Sequence, residues 1–197
     1  MKKLLLASSS PYRHELLGRL HLPFDWAAPE IDESPKRSET PAELVQRLSL
    51  AKARALEANH ADALIIGSDQ CVVRAGTIVG KPGDHAAAVA QLRAASGRTL
   101  RVHTGVCLLD AARAKYWLDV VSYEVRFRPL SDIEIEAYLR LEQPYDCAGS
   151  VKSEGLGASL LEYMRGDDPT ALIGLPLIRL SAMLREAGVP VPPLNPG

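Results

Sequence analysis

The sequence is poor in cysteine, in net charge and in long apolar runs. Its three cysteines, Cys71, Cys107 and Cys147, are odd in number and form no C-x-x-C pair. This pattern fits reduced, mostly buried thiols in a cytoplasmic protein better than a disulfide framework. The five histidines do not cluster at ligand spacings, which argues against a structural zinc site.

The chain also has no large excess of charge of either sign. The 23 basic and 24 acidic residues leave a formal net charge of −1, so no global field attracts nucleic acid or an acidic membrane surface. No run approaches the roughly twenty apolar residues of a membrane span, and the run 4–6 is too short for a signal peptide. We therefore expect a cytoplasmic protein that binds neither nucleic acid nor membranes. A polyanion site would have to be built locally by a few cations.

What is present is enough apolar sequence for one substantial core. The chain has 197 residues, of which 47% are hydrophobic, and this suits one domain or a two-lobed domain. Strands and helices alternate irregularly around long central hairpins, which predicts an α/β fold with a mixed sheet, two lobes and a central cleft. We expect one domain over residues 1–188, followed by a proline-rich tail over 189–197 that is disordered or lies on the surface.

Local patterns predict the elements. Capping boxes at 40–43 and 131–134 begin two helices. The predicted buried stripe of the first consists of Leu44, Leu48, Ala51 and Ala55. Other predicted helices cover about 11–20, 84–95 and 177–187. Predicted strands cover 24–27, 63–67, 100–109, 116–127 and 159–164, with a hairpin over 71–79 that turns near 75–76.

The segment 4–17, LLLASSSPYRHELL, predicts a strand, a hydroxyl-rich loop and a helix N-terminus. Pro11 suits the first helical position and Ser10 suits the N-cap, while Arg13 adds a guanidinium to the first turn. Free backbone N–H groups and the helix dipole favour an anion there, and phosphate is the obvious candidate. The alternative is an ordinary junction in which the serines only cap the helix.

Four other charged residues are candidates for chemistry. Asp69 follows the apolar run 63–67, and a carboxylate at the end of a buried strand lies where α/β sheets place their ligand sites; a turn-forming aspartate is the alternative. Lys81 lies in a glycine- and proline-rich loop and is either a ligand for an anion or a solvated lysine. Lys52 is expected at the surface unless its helix lines the cleft. Glu33 lies in an acidic loop, where a solvated charge is the default interpretation.

These residues form a set of the kind that triphosphate chemistry needs. The set comprises Ser8, Arg13, Glu33, Lys52, Asp69 and Lys81. Cations offset the phosphate charge, while paired carboxylates hold a divalent metal or activate a water.

Four blocks of the sequence resemble the Maf family of nucleoside triphosphate pyrophosphatases. They are LASSSPYRHELL, IIGSDQ, GKPGD with QLRAASGRT, and CAGSVKSEGLG with ALIGLPL, and they span about Leu4 to Ala187. The resemblance implies an elongated, twisted mixed sheet flanked by helices, and two-lobed enzymes of this family are often homodimers. The blocks SDQ and CAGSVKSEG resemble the YceF-like branch, which is associated with cleavage of 7-methyl-GTP to 7-methyl-GMP and pyrophosphate.

The resemblance also implies roles for the matched residues. Asp69 would be either a proton acceptor or a metal ligand, and Glu33 would help to carry a divalent metal, for which magnesium and manganese are equally suited. The residues expected to bind the triphosphate are Ser8, Arg13, Lys52 and Lys81, and those expected to set base preference are Tyr12, Gln70 and Glu154.

The chemistry of the base supports this assignment. N7-methylation makes guanine cationic, so stacking on Tyr12 gains a cation–π contribution of roughly 0.5–2 kcal/mol, although the branch often has tryptophan at this position. Glu154 suits the N1–H and amino donors of guanine. The alternatives are a pyrophosphatase of the same family acting on dTTP and UTP, and a nucleotide-sensing regulator of septum formation, which the family name suggests.

Overall fold

Within residues 2–194, which the computed structural model describes, seven strands and six α-helices form the mixed α/β fold that the sequence predicts. The strands are β1 (Leu4–Ala7), β2 (Phe24–Ala27), β3 (Leu64–Arg74), β4 (Thr77–Val79), β5 (Thr99–Asp110), β6 (Lys115–Phe127) and β7 (Leu161–Arg165). The helices are α1 (Pro11–Gly18), α2 (Pro41–Ala55), α3 (His85–Ala95), α4 (Asp132–Glu142), α5 (Pro169–Ile173) and α6 (Leu177–Glu186). None of these helices has both the length and the apolar character needed to cross a bilayer.

The sheet mixes parallel and antiparallel pairs. Its order is β2-β1-β3-β5-β6-β7, with β4 paired to β3 beside this path. Strand β1 runs parallel to β2 and β3, while the β3–β4 and β6–β7 pairs are antiparallel.

The chain divides into two compact units. The first contains the residues up to 70, 104–121 and those from 168 onwards, and the second contains 71–103 and 122–167. The single domain over 1–188 and the central cleft stay predictions, and positions 195–197 of the predicted tail lie outside the described residues.

The core of the first unit lies on both faces of β1. Leu4 and Leu6 join a cluster with α1 and α6, whereas Leu5 and Ala7 join a second cluster that includes Ala53 of α2. This alternation is what period-2 side-chain geometry produces when helices cover both faces of a strand. Helix α1, which carries Arg13, and helix α2, which carries Lys52, therefore cover opposite faces of β1. The loop after β1 lies between them.

Helix α2 begins as predicted but buries a different stripe. Thr40 and Glu43 form the reciprocal capping box. Of the four residues predicted to be buried, Leu44 and Leu48 are buried, whereas Ala51 is half-buried and Ala55 is exposed. The residues actually buried are Leu44, Val45, Leu48, Ser49, Lys52 and Ala53. The helix is therefore rotated so that polar side chains, as well as apolar ones, face the sheet.

Two glycines of the sheet allow the buried face of α2 to approach the strands closely. A Cβ on Gly67 of β3 would lie 2.1 Å from the carbonyl oxygen of Ser49, and one on Gly105 of β5 would lie 2.4 Å from that of Val45. Because no side chain separates the backbones at these points, α2 lies directly against β3 and β5. The residues that follow Ser49 on the same face are thereby brought to the sheet.

Replacement of Gly105 by alanine is expected to lower the free energy of unfolding by about 1–3 kcal/mol, because the added methyl group overlaps backbone atoms of α2. Thermal denaturation followed by circular dichroism measures this loss. Gly18→Ala is the matched control, since a Cβ there meets no atom within 4 Å. Equal stability of the two variants would contradict the close approach.

Several predicted boundaries are wrong. Strand β3 does not stop before Ser68 but continues to Arg74, because Ser68 and Gln70 find hydrogen-bond partners that make polar side chains acceptable in a buried strand. Helix α1 ends at Gly18, two residues early, and the predictions missed the short helix α5. The predicted turn near 75–76 is confirmed, and both of its residues have positive φ, as a tight hairpin requires.

Candidate active site

The loop after β1 is held together by side chains. The Oγ atom of Ser8 accepts hydrogen bonds from the Ser10 N–H at 3.1 Å and from Nη1 of Arg13 at 3.4 Å. Nε of Arg13 donates to the carbonyl oxygen of Gly174 at 2.9 Å, and Nε2 of His14 lies 2.7 Å from the carbonyl oxygen of Ser8. Ser10 occupies the N-cap position, but its side chain makes no capping hydrogen bond. Ser10 therefore does not cap α1 through its side chain, and the binding of an anion at this junction stays a prediction.

Lys52 joins two carboxylates of the candidate site. Its Nζ atom is 2.6 Å from Oδ1 of Asp69 and 3.0 Å from Oε1 of Glu33. Lys52 is 6% exposed and Asp69 is 8% exposed, whereas the Glu33 side chain remains 56% exposed. The expectation of a surface lysine at position 52 is wrong, because the rotated face of α2 carries Lys52 to the sheet.

The position of Asp69 follows from β3 and α2. Its backbone N–H donates to Oγ of Ser49 at 3.0 Å, and Ser49 in turn donates to the carbonyl oxygen of Val45 at 2.6 Å. Asp69 therefore lies within a continuous strand and pairs with a lysine 17 residues earlier. The alternative of a turn-forming aspartate is wrong.

Arg13 belongs to the same electrostatic field. Burial lowers the pKa of the Arg13 guanidinium, while the negative charges of Asp69 and Glu33 act to raise it. A guanidinium stays protonated at any physiological pH, so Arg13 is a permanent cation in this region. The first unit thus brings together five of the six predicted residues of the triphosphate set, namely Ser8, Arg13, Glu33, Lys52 and Asp69.

Gln70, the next residue of β3, anchors α5. Its Nε2 atom donates to the carbonyl oxygens of Ala171 and Leu172 at 2.8 and 3.1 Å and lies 3.0 Å from Oγ1 of Thr104. Oγ1 of Thr104 donates to the same Ala171 carbonyl at 2.8 Å. The amide nitrogen of Gln70 therefore holds α5 against β3. The assignment of Gln70 to base preference stays a prediction.

The remaining candidates lie elsewhere on the chain. Lys81 is exposed in a loop of the second unit that is fixed by Gln91 Nε2, which donates to the Gly80 carbonyl, and by the Gly83 N–H, which donates to the Tyr145 carbonyl. A fixed loop with an exposed ammonium suits an anion ligand and a solvated lysine equally, so both interpretations of Lys81 stay open.

Glu154 is exposed in a compact loop of the second unit. Oε1 of Glu142 accepts a hydrogen bond from the Leu156 N–H at 2.8 Å, and a Cβ on Gly155 would meet the Glu142 carboxylate at 2.9 Å. Tyr12 is half-buried on α1 of the first unit. Their roles in base preference stay predictions.

Two carboxylates of the site are candidate ligands for a divalent metal. Within residues 2–194, no group of three or more His, Cys, Asp or Glu side chains is arranged to hold an ion. Two carboxylates, Asp69 and Glu33, converge on one point through Lys52. Mg²⁺ is commonly bound by one or two carboxylates together with waters and substrate phosphates, so these residues fit a metal that is shared with a triphosphate. Burial raises the pKa of the Cys107 thiol to about 12, so this thiol is protonated at neutral pH.

Sequence reasoning missed the residues that support the site. Ser49 bonds to the backbone of Asp69, the Gly174 carbonyl accepts from both Arg13 and Ser68, and Gly105 admits α2. One signal was present in the sequence, since Val45, Ser49 and Lys52 share a helical face. The hydrogen bonds to Gly174, which lies 161 residues after Arg13, had no local signal.

Comparison with known proteins gives consistent results. A family model for Maf-like proteins matches residues 3–187. A 7-methyl-GTP pyrophosphatase of Cupriavidus metallidurans is 56% identical, covering 95% of this chain and 94% of its own length. Proteins with the same name from Nitrosococcus oceani and Chromohalobacter salexigens are each 53% identical, covering 95% and 96% of this chain and 94% and 98% of their own lengths.

Proposed function

This chain belongs to the Maf family, and we propose that it is a nucleoside triphosphate pyrophosphatase that hydrolyses 7-methyl-GTP to 7-methyl-GMP and diphosphate. It is a hydrolase of phosphorus-containing acid anhydrides. The observation that carries the proposal is the contact of the buried Lys52 ammonium with the buried Asp69 and the exposed Glu33, in the field of Arg13. The reaction removes a modified nucleotide from the pool, and the cysteine usage favours a cytoplasmic location.

The chain's own residues supply charge and position. Arg13 and the Ser8 loop bind phosphate oxygens, and Lys52 offers an ammonium that is already buried. Asp69 accepts the proton of the water that attacks the α-phosphorus, and Arg13 and Lys52 neutralise the departing diphosphate. A contribution of Lys81 to this neutralisation stays a prediction. Phosphoryl chemistry of this kind depends on positioning and electrostatic stabilisation more than on covalent catalysis.

A divalent cation fits this arrangement. Glu33 and Asp69 would hold it together with phosphate oxygens of the substrate, with magnesium and manganese as the candidates. When bound, such an ion polarises the phosphoryl oxygens and offsets charge that develops on the leaving group. In this role Asp69 is a metal ligand as well as, or in place of, a proton acceptor.

Base preference is assigned to three side chains. We propose that Tyr12 stacks on the cationic ring and that Glu154 accepts from the guanine edge. Gln70 would contribute through its carbonyl oxygen, because its nitrogen donates to the backbone. The homodimer that the family resemblance implies stays a prediction.

A nucleotide panel tests the proposed function. Purified protein is incubated with 7-methyl-GTP, GTP, dTTP and UTP, with and without Mg²⁺, and diphosphate and monophosphate release are quantified. We expect the highest kcat/KM for 7-methyl-GTP, with one diphosphate released per nucleotide. A preference for dTTP or UTP would contradict the base assignment, and turnover of none of these nucleotides would favour a nucleotide-sensing regulator.

A further inference from the structure

The Lys52 ammonium occupies the point on which the two candidate metal-binding carboxylates converge. It contacts Oδ1 of Asp69 at 2.6 Å and Oε1 of Glu33 at 3.0 Å. We propose that Lys52 blocks this metal position while no nucleotide is bound, so that the divalent cation enters together with the triphosphate. The inference rests on the proposed function and specifies the order in which its ligands bind.

The first support is spatial and electrostatic. An ion that binds both carboxylate oxygens directly needs distances of about 2.0–2.1 Å for Mg²⁺, and an ammonium hydrogen-bonded to the same two oxygens fills that position. The Lys52 ammonium and the metal ion also repel each other, and this repulsion is stronger near the protein interior than in bulk water. Lys52 is 6% exposed, so the repulsion between its ammonium and a metal ion is weakly screened, and the two cations compete for the same position.

The second support is the small number of protein donors. Within the part of the chain that the structure describes, no third His, Cys, Asp or Glu completes the set. A bare cation would gain two carboxylates but would also have to displace a buried ammonium from both of its counter-charges, which is costly. A triphosphate changes this balance, because its oxygens complete the metal's coordination and give Lys52 a new anionic partner.

The metal and the nucleotide must then each increase the affinity of the protein for the other. If the nucleotide draws Lys52 away from the carboxylates, it raises the affinity for metal, and by linkage the metal raises the affinity for nucleotide by the same factor. Removing the Lys52 charge should abolish most of this coupling, because the metal position is then open at all times.

Binding of Mn²⁺ alone tests the inference. Free Mn²⁺ is titrated against nucleotide-free protein and followed by electron paramagnetic resonance, which needs no turnover. We expect Lys52→Met to bind Mn²⁺ at least about tenfold more tightly than wild type. Lys115→Met is the matched control, because it removes one positive charge from an exposed lysine that stacks on Trp117, and we expect wild-type affinity from it.

Lys52→Gln provides a second variant if the methionine variant fails to fold, as judged by circular dichroism. The glutamine still donates hydrogen bonds but carries no charge, so we expect it also to bind Mn²⁺ more tightly than wild type. Unchanged affinity in the folded Lys52 variants would overturn the inference and leave the pyrophosphatase proposal standing. Tighter binding together with an inactive nucleotide panel would instead overturn the proposed function while supporting the block by Lys52.

Discussion

Replacement of Asp69 by asparagine is expected to lower kcat for 7-methyl-GTP by about 10²–10⁴-fold, the usual contribution of a positioned proton acceptor. An amide neither takes the proton of the attacking water nor binds a divalent cation as a carboxylate does. Both roles open to Asp69 therefore predict the same direction of change.

The fold should survive this change. The side-chain oxygen of asparagine can still accept from Lys52, and Glu33 remains as a counter-charge, so we expect a loss of only about 1–3 kcal/mol in the free energy of unfolding. Asp25→Asn is the matched control, since Asp25 forms an exposed pair with Lys3 at 2.9 Å. Steady-state kinetics and thermal denaturation are measured for both variants. Wild-type turnover by Asp69→Asn would remove Asp69 from the mechanism.

Replacement of Arg13 by lysine is expected to lower kcat/KM by about 10²–10³-fold, the cost of losing one donor aimed at developing charge. The guanidinium donates to Gly174 through Nε and to Ser8 through Nη1, and its fork can also face a phosphate. A single ammonium cannot reproduce this geometry, although it keeps the charge.

Arg19→Lys tests whether the loss is specific. Arg19 follows α1 and forms an exposed pair with Glu15 at 2.8 Å, so its replacement should leave kcat/KM unchanged. The comparison uses initial rates at several concentrations of 7-methyl-GTP. If Arg13→Lys were as active as Arg19→Lys, the positive charge alone would suffice and the proposed need for the guanidinium geometry would be wrong.

Local chemistry made much of the fold predictable. The capping boxes of α2 and α4 are present as expected, because their hydrogen bonds join residues three positions apart. Asp84 also caps α3 as predicted, with its side chain accepting from the Ala87 N–H. In each case the residues that determine the feature are neighbours in the sequence.

The site was less predictable because its contacts are distant in sequence. The burial of Lys52 depends on which face of α2 meets the sheet, and Gly67 and Gly105 leave room for that face to approach. The strand carrying Asp69 continues because Ser68 bonds to carbonyl oxygens 37 and 106 residues away. Residue types and family blocks indicated five residues that the structure brings together, but they did not indicate that Lys52 pairs with both carboxylates.

The most direct test of the central claim is to locate the bond that the protein breaks. Hydrolysis of 7-methyl-GTP in water labelled with oxygen-18, followed by mass spectrometry, reports which phosphorus the water attacks. Attack at the α-phosphorus beside Asp69 and Lys52 predicts that the label enters 7-methyl-GMP and that the diphosphate carries none. Label in the diphosphate, or release of inorganic monophosphate, would contradict the account.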